Sequence, residues 1–267
     1  MGIVNVTPDS FSGDGVLSVA GDDPIAAVTR LGRRMADEGA DVLDVGGEST
    51  RPGHTPVPEA EELCRVVPAV RALREALPDI PISIDTTKAS VAEAALDAGA
   101  DMVNDVWGVE PEASLLRLVA ERGVPLVLMH NRSAPRYRNV VTEVIADLQR
   151  AIDAVVAAGV DEERLIVDPG IGFGKTAQHN LALLRDLASL RLLGRPVLLG
   201  TSRKSTIGRI LELPPNERVE GTLATTALAV AAGVDLVRVH DVEANRRVCR
   251  VSDAIVRRTE FGRGTAP

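Results

Sequence analysis

Seven polar side chains stand where short apolar runs stop. Asn5, Asp44, Asp85, Asn104, His130, Asp168 and His240 each lie at or near the carboxyl end of a Val/Ile/Leu-rich stretch. A charge buried without a partner costs several kcal/mol even after relaxation. A set of them at one end of the strands therefore points to a polar ligand held there, the competing explanation being a structural layer of ion pairs. Asp85, Asn104 and Asp168 offer acceptors and one amide. A flat heterocycle with an amino-amidine edge presents paired N–H donors that a carboxylate meets at two points, and an Asn both donates and accepts on the same ring. Paired carboxylates equally suit general acid–base work. Arg238 and His240 are two residues apart and share one face of a strand. With Arg51 they suit an anion such as pyrophosphate, because a guanidinium fork takes phosphate oxygens bidentately. Asn5 offers either a turn-stabilising amide or a neutral oxygen for a Mg2+ whose other ligands are waters and phosphate oxygens.

Two loops carry sharper signals. DPGIGFGK at 168–175 follows an apolar run; its glycines let backbone approach a ligand and Phe173 can wall an aromatic one. Gly170 to Lys175 is too short for the phosphate-loop pattern GxxxxGK[ST]. GTSRKS at 200–205 places Lys204 to hold a carboxylate or a carbonyl, with Ser205 as a candidate helix cap.

These residues need elements to position them. Strand candidates are 2–6, 42–46, 82–85, 102–106, 126–130, 165–168, 197–200 and 236–240, each followed by a stretch of helical period such as 24–38, 58–77, 88–98, 139–158 or 217–232. Gly39, Gly99 and Gly233 stand where left-handed helix caps are expected. Short, nearly continuous apolar strands alternating with helices imply a parallel sheet covered on its outer face. Eight such units in 267 residues predict a single-domain (β/α)8 TIM barrel over 1–267. Barrel closure sets the eighth strand beside the first and brings Arg238 and His240 near Asn5. This predicts a cationic flank facing an acidic one.

With 45% hydrophobic and 25% charged residues the composition is that of an ordinary globular chain. A net charge of −8 with interspersed signs argues against a general nucleic-acid or anionic-membrane binder. Cys64 and Cys249 show neither metal-ligand spacing nor a disulfide framework. No apolar run approaches a membrane span, and MGIVNVTPDS does not read as a signal peptide, so a cytoplasmic protein is expected.

An ordered set of motifs resembles the dihydropteroate synthases, a family of pterin-binding enzymes. The set is NVTPDSFS at 5–12, DVGGESTRPG at 44–53, SIDT at 83–86, Asn104-Asp105, LMH at 128–130, the 168–175 loop, SRKS at 202–205 and RVHD at 238–241. Each motif alone is weak; together and in order they span nearly the whole chain. The resemblance implies a transferase that condenses a hydroxymethyl-dihydropterin pyrophosphate with para-aminobenzoate, releasing pyrophosphate by dissociative substitution. It implies that Asp85, Asn104, Asp168 and Lys204 hold the pterin, with Met129 and Phe173 lining its pocket. Asn5, Arg51, Arg238 and His240 would handle Mg2+ and pyrophosphate. Thr50, Arg51, Pro52, Phe11, Phe173 and Ser202 would form the para-aminobenzoate pocket, where sulfonamides compete. Loops 7–15 and 48–56 would close as lids, and a homodimer would form through the late helices. The rivals are a pterin-dependent methyltransferase, which has no need of an aminobenzoate pocket, and a non-catalytic pterin-binding paralogue, which needs no pyrophosphate clamp. Ser12-Gly13-Asp14-Gly15 departs from the family's usual Ser-Asp-Gly-Gly by displacing the acid, and Asn131-Arg132-Ser133 differs from commoner versions of the pterin rim.

Overall fold

The computed structural model describes residues 1–7, 23–48 and 56–257. Strands and helices alternate along the chain: β1 (Gly2–Asn5), α1 (Pro24–Asp37), β2 (Leu43–Gly46), α2 (Glu59–Ala76), β3 (Ile82–Asp85), α3 (Ala89–Asp97), β4 (Met102–Asp105), α4 (Ala113–Arg122), β5 (Leu126–Met129), α5 (Val140–Ala157), β6 (Leu165–Asp168), α6 (Ala177–Arg185), β7 (Leu198–Leu199), α7 (Ser205–Leu211), α8 (Val219–Ala232), β8 (Leu236–Val237) and α9 (Val242–Val256). Three short 3-10 turns, Glu162–Arg164, Leu187–Leu193 and Pro215–Glu217, fill the connections.

Strands β1 to β6 form one parallel sheet in sequence order, and β7 pairs with β8. Two isolated parallel bridges, Val167 with Val197 and Gly2 with Val239, join these sheets at both edges. The Val167 amide donates to the Pro196 carbonyl at 2.9 Å and the Ile3 amide to the Val239 carbonyl at 3.0 Å. These bridges set the eight strands around one barrel-like ring, although the regular ladders remain a six-stranded and a two-stranded sheet. Ladder pairing is reduced to two residues in β7 and β8, shorter than the predicted 197–200 and 236–240. Their flanking residues make single bridges rather than a continuous ladder, so Arg238 and His240 lie just beyond β8.

Residues of opposite parity explain the two apolar clusters. Leu126 and Leu128 point outward into the main core between barrel and helices, with Val103, Ile82, Ile84, Leu148 and Val155. Val127 points inward, where Met1, Met102 and Leu198 pack with Val42, Ile166 and Leu236 against them. That plug fills the amino-terminal half of the barrel and leaves the carboxyl-terminal half to polar side chains. Helix α1 is typical of the outer ring: Asp23 caps it, accepting from the Ile25 amide at 3.1 Å, Pro24 opens it, and Ala27, Val28, Leu31 and Met35 form its buried stripe. The anticipated cap residues Gly39, Gly99 and Gly233 have φ of 89°, 113° and 85°.

Candidate active site

Parallel register brings four strand ends to one level: Asn5 pairs with Gly46, Gly46 with Asp85, and Asp85 with Asn104. One step below lies Asp44, opposite Ile3 and Ser83 and wholly buried. From across the barrel Arg238 enters this acidic ring. Its Nη2 donates to Asp85 Oδ2 at 2.8 Å and its Nε to Asp44 Oδ2. Asn104 Nδ2 also donates to Asp44 Oδ2 at 3.2 Å. Burial alone would lower the Arg238 pKa, but Asp44 and Asp85 outweigh it and raise it above the usual arginine range. Burial lifts the Asp85 carboxyl to about 7 against the pull of Arg238. Asp85 Oδ1 is buried without a hydrogen-bond partner among the described residues. Buried polar atoms are nearly always paired, so this oxygen is an acceptor suited to a donor-bearing ligand.

Asp168 faces this group from the end of β6. Its Oδ1 accepts from the Gly170 amide at 2.7 Å, and burial raises its pKa against Lys204, the Gly170 amide, Lys175 and Arg238. Lys204 lies beyond β7 with its pKa drawn down to about 8 by burial, Asp168 opposing. Its ammonium donates to the Ile171 carbonyl and stands 4.6 Å above the Phe173 ring, a cation–π contact. Phe173 is half-buried and Met129 buried. Asp85, Asn104, Asp168, Lys204 and Arg238 thus converge at the carboxyl end of the barrel, where enzymes of this architecture carry their chemistry.

The predicted separation of cations from acids does not hold for Arg238. It belongs to the acidic ring, as the ion-pair explanation required, because Asp44 and Asp85, with Asp168 behind them, offset its burial at that position. His240 keeps to the rim, where its Nδ1 meets Ser202 Oγ at 2.9 Å and its amide donates to the same oxygen at 3.1 Å. Asn5 is half-buried at the end of β1. Among the described residues no three His, Cys, Asp or Glu side chains group to hold a metal. The Asn5 oxygen fits a hard cation only in company with ligand oxygens.

His130 does not face the mouth either. It is fully buried, its Nε2 3.0 Å from Asp147 Oδ2 and its Nδ1 2.9 Å from Lys175 Nζ. Ser205 does not cap α7; Lys204 occupies the cap position and no side chain accepts there. Arg203, at φ 57°, is instead secured by a two-point pair with Asp241 at 3.1 and 2.7 Å. Phe11, Asp14, Thr50, Arg51 and Pro52 lie outside the described residues. Sequence reasoning missed Asp44 as the partner of Arg238, although its place at a strand end was visible. It also missed Tyr137 and Asn180, which hold the 168–175 loop: Tyr137 Oη donates to the Gly174 carbonyl at 3.1 Å and Asn180 Oδ1 accepts from the Gly172 amide at 2.9 Å. No motif marked either.

A parallel (β/α)8 barrel with charged groups buried at its carboxyl-terminal mouth defines the class: a TIM-barrel enzyme. The chain belongs to the pterin-binding enzyme family, whose sequence profile matches residues 1–240, and within it to the dihydropteroate synthases. It is 49% identical over 259 residues to a dihydropteroate synthase of Clostridium beijerinckii, covering 97% of this chain and 94% of that protein. It superimposes with a TM-score of 0.91 at 46% identity on the dihydropteroate synthase of Clostridium difficile crystallised in the presence of pteroic acid, covering 96% of each chain. The enzyme of Xanthomonas albilineans with 4-aminobenzoic acid gives a TM-score of 0.89 at 47% identity, covering 96% of this chain and 92% of that one.

Proposed function

We propose that this protein catalyses the condensation of 6-hydroxymethyl-7,8-dihydropterin pyrophosphate with para-aminobenzoate in folate biosynthesis. The main support is the buried convergence of Asp85, Asn104, Asp168 and Lys204, with Asp85 Oδ1 an acceptor that has no partner among the described residues. A pterin fits this set: its amino-amidine edge meets a carboxylate, Asn104 pairs with the ring, and Met129 and Phe173 flank it. The C–O bond to pyrophosphate breaks first, the electron pair leaving with the phosphate. The resulting methylene cation is conjugated with the pterin, and Asp85 and Asp168 stabilise it as preorganised charges. The aniline nitrogen then forms the C–N bond and sheds its proton. Arg51 and His240 receive the pyrophosphate, and Arg238 adds its positive charge from its place between Asp44 and Asp85; Thr50, Arg51, Pro52, Phe11, Phe173 and Ser202 enclose the aminobenzoate. Mg2+, held by Asn5 and phosphate oxygens, would neutralise charge on the leaving group.

No helix among the described residues is long and apolar enough to cross a membrane, and both cysteines are free thiols. These are compatible with the cytoplasmic location we assign. A homodimer is supported by the apolar residues exposed on the packed pair α8 and α9, among them Leu228, Val251 and Ile255.

Purified protein given the pterin pyrophosphate, Mg2+ and labelled para-aminobenzoate is expected to release labelled dihydropteroate, with sulfonamides competing against the aminobenzoate. Absence of product at high enzyme concentration, with the pterin still bound, would reduce the protein to a binder. In calorimetry Asp168→Asn is expected to weaken pterin binding at least about tenfold, or ~1.4 kcal/mol.

A further inference from the structure

Lys175 ends the loop that follows β6, and its ammonium collects four acceptors. Nζ lies 2.9 Å from His130 Nδ1, 3.2 Å from the His130 carbonyl, and 3.0 Å from each of the Gly170 and Phe173 carbonyls. These acceptors belong to the segment after β5 and to both sides of the loop's turn, so one cation ties three stretches of backbone together. The contact to Nδ1 fixes the imidazole tautomer: Nδ1 accepts and Nε2–H donates to Asp147, which Arg132 also grips through Nε at 2.9 Å. Burial and the neighbouring ammonium hold His130 down to about 4, so the ring stays neutral at physiological pH. Burial, with Lys204 and Arg132 nearby, draws Lys175 down to about 7 as well, Asp168 opposing, while the four groups within hydrogen-bond distance of Nζ are acceptors that suit the protonated amine.

The clamp has a direct reach into the pterin site. Gly170, whose carbonyl Lys175 holds, donates its amide to Asp168, and Phe173, whose carbonyl it also holds, lies under the Lys204 ammonium. We propose that Lys175 is a positioning residue for the pterin site, acting through the 170–173 turn on the orientation of Asp168 and the placement of Phe173. It touches no reacting atom. The proposal rests on the reading that Asp168 meets the pterin, but not on turnover.

The experiment compares the wild-type protein with Lys175→Met, which keeps the apolar stem and removes every donor. Lys175→Gln, which keeps two N–H groups on a shorter arm, is the milder variant. In calorimetry with pterin pyrophosphate, Lys175→Met is expected to bind at least tenfold more weakly and Lys175→Gln by an intermediate factor. Amide hydrogen exchange should accelerate in 169–175 while the strands stay protected. In steady state the KM for the pterin substrate should rise with the affinity loss, while kcat, through Asp168, and the KM for para-aminobenzoate, through Phe173, change by smaller factors. A merely structural lysine would lower the active fraction, hence kcat, and leave both KM values alone. Pterin affinity within twofold of wild type in a folded variant overturns the proposal, and if the Met variant does not fold the Gln variant decides by the same measure. A wild-type protein that binds pterin but makes no dihydropteroate would defeat the catalytic reading and leave this calorimetric comparison intact.

Discussion

Arg238 carries its charge at any accessible pH, and it bridges Asp44 and Asp85 inside the barrel. Removing one member of such a buried pair leaves an uncompensated charge, at a cost of about 3–5 kcal/mol. The same ion pair keeps Asp85 oriented while its other oxygen has no partner among the described residues. His130 behaves differently because it is buried as the neutral ring. Its pKa lies near 4 in the folded protein, below the ordinary value of 6.5. Between these values the unfolded chain binds the proton and the native one does not, so stability is lost as pH falls from 6.5 to 4, by on the order of 3 kcal/mol. Asp85 and Asp105, raised to about 7 and about 6 by burial, act in the opposite sense, Asp85 over the whole of this range and Asp105 below about 6. The measurement is therefore a difference: urea unfolding of wild type and His130→Gln at several pH values. The stability gap between them should narrow as pH falls; parallel curves would deny the histidine this role.

In the 168–175 loop a close backbone approach adds to the side-chain contacts that hold the turn. Gly170 has φ 66°, and a Cβ there would stand 1.8 Å from the His130 carbonyl oxygen. Gly123, at the end of α4, has a similar φ of 60° with nothing within 4 Å. An alanine at Gly123 meets only the left-handed backbone penalty, about 1–2 kcal/mol. At Gly170 it meets that penalty and displaces the carbonyl that Lys175 also holds. Denaturant unfolding should show Gly170→Ala less stable than Gly123→Ala by about 1–3 kcal/mol, the usual cost of overpacking. Only the Gly170 variant should also lose pterin affinity. Equal effects would mean that the loop yields freely.

At the scale of the whole molecule, the exposed side chains on α8 and α9 stand out. Leu228, Val251 and Ile255 are 60%, 61% and 75% exposed, and Val251 and Ile255 are one turn apart on the same face. The homodimer proposed above would cover these apolar residues, which otherwise meet solvent. Sedimentation should give the mass of two chains, and Leu228→Asp with Ile255→Asp should give that of one. A wild-type monomer at assay concentrations would remove the dimer.

What the amino-acid order determined by itself was local and periodic. Alternating apolar runs and amphipathic stretches set eight parallel units, and glycine positions such as Gly39, Gly99 and Gly233 marked helix ends, because backbone conformation and burial pattern depend on near neighbours. Asp85, Asn104 and Asp168 were legible as strand-end acceptors for the same reason. Only the tertiary structure decided which partners those groups meet. Arg238 and Asp44 are 194 residues apart in sequence, and neither Lys175 with His130 nor Tyr137 with Gly174 follows from any spacing rule. The barrel's closure brings such groups within hydrogen-bond distance, and in a buried mouth it is the identity of the neighbour, more than the residue type, that fixes charge and orientation.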